Sequence, residues 1–94
     1  MKRNMTIEEI RELVAQSRSQ EAVEAATPLV AAGGRQAAMA LYLRGNAYRQ
    51  LGDWRHAMND YLAAIDLDPD GPASLAYRQA QEVLNFYDHD LYNP

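Results

Sequence analysis

The chain of 94 residues is long enough for one compact domain and too short for two. It contains no Cys, which excludes disulfides and thiolate metal sites, and its formal charge of −4 argues against nucleic acid and anionic membranes, which select a concentrated basic face. Apolar residues make up 48%, much of it Ala, the strongest helix former, while Phe and Trp occur once each, so the composition predicts helices around a real core.

The opening Met1-Lys2-Arg3-Asn4-Met5 has the charge of a signal peptide, but Glu8, Glu9, Arg11 and Glu12 follow where an apolar stretch would be needed. No run approaches the roughly 18 apolar residues of a membrane helix. A soluble, cytoplasmic protein with no membrane partner is expected. Thr6-Ile7-Glu8-Glu9 has the form of a capping box and predicts the start of a first helix, with Ile7, Ile10, Leu13 and Val14 recurring at helical spacing. The polar run Gln16-Ser17-Arg18-Ser19 is a turn. A second helix carries Ala22, Ala26, Leu29 and Val30 on one face; Pro28 inside it is expected to kink or split it, and Gly33-Gly34 to end it.

A third helix is predicted from about Arg35 to Gln50, stopping at Gly52, a natural left-handed residue beyond a helix end. Asp53 can cap a fourth helix with the stripe Trp54, Ala57, Met58, Tyr61, Leu62 and Ile65. Asp68-Pro69-Asp70-Gly71-Pro72 is the strongest breaker in the chain. A fifth helix is predicted from about Ala73 to Tyr87, followed by a polar tail, 88–94, that turns back at Asp88 to Asp90 and rests Leu91 or Tyr92 on the last helices. Helices of this length on such short turns pack as antiparallel neighbours, so the fold class is all-α, an array of about five helices in antiparallel hairpins.

Residues 38–71 resemble one tetratricopeptide repeat, a helix–turn–helix unit of about 34 residues. The residues that carry the resemblance are Leu41-x2-Arg44-Gly45-x2-Tyr48, then Ala57-x3-Tyr61, then Pro69, with Gly52, Trp54 and Ala64 at further favoured places. The departures are Leu41 for Trp, Arg44 for Leu and Tyr61 for Phe, with the Arg44 stem expected to snorkel across the helix interface. Gly in mid-helix costs about 1 kcal/mol against Ala, so Gly45 predicts a close helix approach, matched by Ala57 and Ala64. Residues 5–32 fit a degenerate repeat: Ile7 and Val14 precede Leu41 and Tyr48 by 34, but Ala22 precedes Ala57 by 35, which predicts an inter-helix turn one residue shorter. Residues 72–87 are the expected solvating cap of a single domain spanning 1–94, with Arg78, Gln81, Glu82 and Asn85 outward and Ala76, Ala80, Val83, Leu84 and Tyr87 inward.

Sites for chemistry are sparse. His56 and His89 stand far apart without a carboxylate at ligand spacing, Gly33-Gly34 lacks the strand and the Lys-Ser/Thr of a phosphate loop, and Glu8-Glu9-Glu12 compensates a helix dipole. No metal, cofactor or catalytic group is expected, so the chain is read as no enzyme. The resemblance instead implies a non-catalytic protein- or peptide-binding adaptor, with the first helix of each repeat lining a concave groove. On the third helix that face carries Met39, Tyr42, Asn46 and Arg49, with Gln50 at its edge. An aromatic, an amide and a guanidinium on successive turns suit a peptide backbone and a carboxylate. Asn46 stands where peptide-binding members often place Asn, whereas Tyr42 replaces the Lys of the chaperone-tail binders, so their clamp is not reproduced. Glu8 and Glu12 are expected on one flank, and Ala73, Ala76, Tyr77 and Ala80 on the other. The partner is a protein or peptide and the state a monomer or weak homodimer; the alternative function is structural self-association that buries Tyr42 and Tyr77.

Overall fold

A computed structural model describes residues 3–92, with side chains described from Arg3 to Phe86. Five helices follow one another: α1 (Ile7–Ala15), α2 (Ser19–Ala32), α3 (Ala37–Gln50), α4 (Trp54–Leu67) and α5 (Ala73–Tyr92). Helix α1 begins as its sequence requires. The Thr6 hydroxyl accepts from the Glu9 N–H at 3.1 Å, and the Thr6 N–H donates to the Glu9 carboxylate at 2.8 Å. Arg3 completes this end at 2.9 Å, and Arg3 first, then the Thr6 N–H, hold the Glu9 carboxyl down to about 2.

Both hairpin turns are built the same way. After α3, Gly52 is left-handed (φ 78°), its N–H donates to the Arg49 carbonyl, and the Asp53 N–H donates to Tyr48, which closes a Schellman motif. After α1, Ser17 takes the left-handed place (φ 59°), its N–H donates to Val14, and Arg18 donates to Leu13. Gln16 and Leu51, Ser17 and Gly52, and Arg18 and Asp53 are each 35 positions apart. The first turn is therefore not one residue shorter. Carried back along α1 and forward along α2, that spacing of 35 sets Ile10 opposite Gly45 in register, Ala22 opposite Ala57 and Ala26 opposite Tyr61.

Pro28 does not split α2, which runs unbroken to Ala32, where Gly33 (φ 71°) ends it. Proline removes a single N–H on an exposed face, and the Thr27 hydroxyl donates to the Val23 carbonyl at 2.7 Å beside the gap. Asp53 caps α4 by accepting the His56 N–H. Helix α5 extends to Tyr92 instead of stopping near Tyr87, and its backbone stays helical through Asp88 to Asp90, so the expected turn back is not made. Those residues are polar but include neither Gly nor Pro, and polarity alone does not end a helix. The expected docking of Leu91 or Tyr92 lies outside the described side chains.

The core has two parts joined by α3. Ile7, Ile10, Leu13, Ala22, Val23, Ala26 and Leu29 pack against Ala40, Leu43 and Ala47 of α3; Leu41 of the same helix packs with Ala57, Tyr61, Ala64, Ala73, Ala76 and Ala80. Tyr42 and Tyr48 touch both parts. Along α5 burial is complete at Ala80 and partial at Val83 and Leu84, while Arg78, Gln81, Glu82 and Asn85 are exposed, together with the apolar Leu75 and Phe86. Tyr61 is fully buried and lies across Gly45: a β-carbon there would meet the ring at 2.7 Å and the Ala57 carbonyl at 3.3 Å.

Arg44 does more than lay its stem over the interface. Its guanidinium donates to both carboxylate oxygens of Asp60, at 2.7 and 2.9 Å, and to the Thr27 hydroxyl at 3.3 Å. It also lies 5.9 Å from the centre of the Tyr48 ring. Both partners are largely hidden, Arg44 at 18% and Asp60 at 8% side-chain exposure. A fork-to-fork pair of this kind ties α2, α3 and α4 together at one point.

Two outcomes follow from these packings. Gly45→Leu is expected to lower the melting temperature by more than 10 °C in a thermal scan: overpacking costs about 1–3 kcal/mol, a clash with a fixed buried ring lies at or above the top of that range, and 1 kcal/mol moves a domain of this size by about 4–8 °C. Gly45→Ala is the stricter check, because the roughly 1 kcal/mol gained in helix propensity opposes the clash; a rise in melting temperature would show a looser crossing. For the ion pair, Asp60→Leu alone is expected to cost about 3 kcal/mol in urea unfolding by stranding a mostly buried guanidinium, and Arg44→Leu with Asp60→Leu together to cost less than Asp60→Leu alone.

Candidate functional site

One face of α3 presents a stripe at helical spacing, Ala38, Tyr42, Asn46 and Arg49, with Arg35 of the preceding turn in line with it. Two hollows lie along it. The larger, about 580 Å³ and open to solvent, is lined by Val14 of α1, by Tyr42, Asn46, Arg49 and Gln50 of α3, by Trp54 at the start of α4, and by Ala76 and Gln79 of α5. The smaller, about 140 Å³, lies among Arg35 of the turn before α3, Ala38, Met39 and Tyr42 of α3, Ala64 and Asp68 at the end of α4, and Gly71 to Ala73 leading into α5. Tyr42 is the wall they share.

Four expected residues, Tyr42, Asn46, Arg49 and Gln50, thus meet in one groove. Met39 lies in the neighbouring hollow, while Tyr77 lines neither and packs half-buried against the second part of the core. The flanks differ from expectation. Helix α1 contributes Val14 in place of Glu8 and Glu12, because the groove crosses the end of that helix and the glutamates belong to its first turns. Helix α5 contributes Ala76 and Gln79 to the larger hollow and Ala73 to the smaller one, whereas Ala80 is a core residue, 0% exposed.

Each polar member has a distinct state. Gln50 is already engaged: its carbonyl accepts from the Ser19 hydroxyl at 2.6 Å and its amide donates to the Val14 carbonyl at 2.9 Å, which ties the end of α3 to the first turn. Asn46 is half engaged. Its side-chain carbonyl accepts from the Tyr61 hydroxyl at 2.5 Å, and its two amide hydrogens donate to nothing among the described residues. Burial pushes the Tyr61 hydroxyl up from its ordinary pKa, with Arg49 opposing, so it remains a neutral donor. Its ring lies 6.4 Å from that of Tyr42, at a tilt of 40°.

Arg49 is the cation of the groove. Its guanidinium lies 5.7 Å from the centre of the Trp54 ring, and no carboxylate stands within 4 Å of it among the described residues. Glu82 shares an adjoining surface hollow with it at a greater distance. The last turn of α3 is a favourable place for a positive charge. His56 serves the fold: it is stacked on Tyr48 at 5.0 Å and bonded to Asp53 at 2.7 Å. Among the described residues no three His, Asp or Glu side chains gather as metal ligands, and no helix is long and apolar enough to cross a membrane.

Sequence reasoning missed Trp54 and Gln79 as groove residues. Trp54 was visible as the aromatic just past Gly52, where the Schellman turn folds it back beside Arg49. Gln79 had no distinguishing signal, since it follows only from how α5 packs on α3.

A short array of α-hairpins with a concave face built chiefly by one central helix defines a helical-repeat interaction protein. The family model of the tetratricopeptide repeat matches residues 38–70. The Bacteroides fragilis protein BF1650, solved in solution by NMR, is 41% identical and superposes with a TM-score of 0.83, over 94% of this chain and 89% of that one. No curated protein matches the chain. The chain belongs to the tetratricopeptide-repeat family, whose members are in general non-catalytic adaptors that bind proteins.

The buried Tyr61 hydroxyl makes Asn46 a structural residue as well as a groove residue. Asn46→Ala is expected to cost about 1–3 kcal/mol in urea unfolding, by leaving that hydroxyl without its acceptor, whereas Arg49→Gln at the same face should stay within about 0.5 kcal/mol of the parent. Equal stabilities for the two variants would mean that Tyr61 finds another acceptor.

Proposed function

We propose that this chain is a non-catalytic adaptor that binds a segment of a partner protein along the α3 groove, with Arg49 holding an acidic group of that segment. In this reading residues 5–32 form a degenerate repeat, residues 38–71 the well-formed one, and residues 72–87 begin the cap that closes the array. The observation that carries it is the guanidinium of Arg49, propped on Trp54 and, among the described residues, without a carboxylate in contact, beside an amide whose donors those residues leave unused. A guanidinium stacked on Trp54 and set beside the Tyr61 hydroxyl is positioned, and its five N–H donors leave several for a ligand. Tyr42 and Trp54 supply rigid aromatic walls at low entropic cost. Gln50 serves the reading indirectly, by fixing the end of α3, and Tyr77 and Met39 act through packing and through the second hollow.

Selection of a random displayed peptide library on the full chain tests this reading. Enriched peptides are expected to carry Asp or Glu, and Arg49→Gln to weaken a selected peptide at least about 10-fold, as loss of a charge-assisted hydrogen bond does, with an unchanged melting temperature. Enrichment without an acidic residue, or equal affinity in the variant, would overturn it. A dimer in sedimentation that buries Tyr42 would point instead to self-association through the same face.

A further inference from the structure

The smaller hollow carries the reading of the groove further. It lies on the same stripe as the Arg49 site, and Tyr42 separates the two. Its α3 and α4 sides are Ala38, Met39 and Ala64, and Pro72 and Ala73 close it toward α5, with Arg35 and Asp68 providing the charged part. The small residues leave the space: three alanines surround a void of about 140 Å³ that the core does not fill. Voids of about 150 Å³ in protein interiors accommodate a group the size of benzene. This one suits a Leu, Ile or Met side chain and is too small for an indole.

The distance between the sites is set by α3. Ala38 and Asn46 are two helical repeats of four apart on one face, a rise of about 12 Å at 1.5 Å per residue. A segment lying in extended conformation along the helix advances about 3.3–3.6 Å per residue, so three or four residues cover that rise. We propose that the groove recognises an extended segment by two features at once: an acidic side chain at Asn46 and Arg49, and an aliphatic side chain three or four residues away in the hollow beside Ala38. The proposal rests on the reading of the groove given above and adds the second feature and the spacing. Neither site alone is selective, since acidic and aliphatic residues are both common; a fixed interval between them is what a rigid helix can measure.

The test uses fluorescein-labelled peptides of a Ser/Ala host with one Glu and one Leu, the Leu moved from one to six positions on either side of the Glu, and fluorescence anisotropy with the full chain. Affinity is expected to peak at a spacing of three or four, at least about 5-fold above a spacing of one. In Ala38→Leu, whose added side chain fills the hollow from a half-exposed helix position, the peak is expected to vanish while Glu→Gln in the peptide still weakens binding. Ala38→Gln fills the same space with a polar group and provides the same comparison should the leucine variant fold poorly. A flat dependence on spacing, or a peak that survives both variants, would overturn the second site and leave the first standing. Indifference of the parent protein to Glu→Gln would overturn the Arg49 reading itself, and this proposal with it.

Discussion

The contact between Gly45 and Tyr61 is the constraint on which the rest of the molecule depends. A fully buried aromatic ring occupies the space that any other residue at position 45 would claim, and so brings α3 and α4 together at a distance no side chain could otherwise allow. That crossing places α3 between the two halves of the core. It also sets the Tyr61 hydroxyl under Asn46, so the floor of the groove and the centre of the hairpin are one structure. A ring with a polar tip suits this place better than Phe would, because its body fills the crossing while its hydroxyl holds a surface amide in one orientation.

Two arginines on the same helix show how position decides the use of a charge. Arg44 faces α4 and is consumed there, with Asp60, Thr27 and the Tyr48 ring taking up its donors and its face. Arg49 stands on the concave side, is steadied by Trp54, and has no carboxylate in contact among the described residues. In a protein of net charge −4, such a cation in a recess is a local inversion of the overall field, strongest at short range where salt screens least.

Much of this was legible in the sequence because the signals are local. Thr6-x-x-Glu9, Gly33, Gly52, Asp53 and the Pro-Asp-Gly-Pro breaker each act within a turn or two, and the helices begin and end where these residues place them. Groove membership was partly legible, since Tyr42, Asn46, Arg49 and Gln50 follow from one helix's periodicity. The commitments of those side chains were not, because Gln50 meets Ser19 and Val14 across the first turn, far away in sequence. One long-range pair could have been read. Arg44 and Asp60 lie eight residues on either side of Gly52, and an antiparallel hairpin folded at that glycine brings them face to face. The end of α5 was not legible, because the segment from Asp88 to Asp90 is polar yet carries no Gly or Pro, and polarity without a backbone signal does not stop a helix.

The equal turns of the two hairpins put Ile10 where the second has Gly45, and Ala26 where it has Tyr61. Both arrangements fill their crossing, one with bulk from the first helix and the other with bulk from the second. The exchange bears on how the chain finds its partners while folding, since tandem hairpins of similar shape are prone to pair with the wrong neighbour or with another molecule. Helix α1 in the place of α3 on α4 would press an isoleucine into a tyrosine, and α3 in the place of α1 on α2, turned by its Gly45 face, would leave glycine facing alanine across an empty space. Each helix is thus a poor fit for its counterpart's mate, and the difference between the two hairpins protects the order in which they assemble.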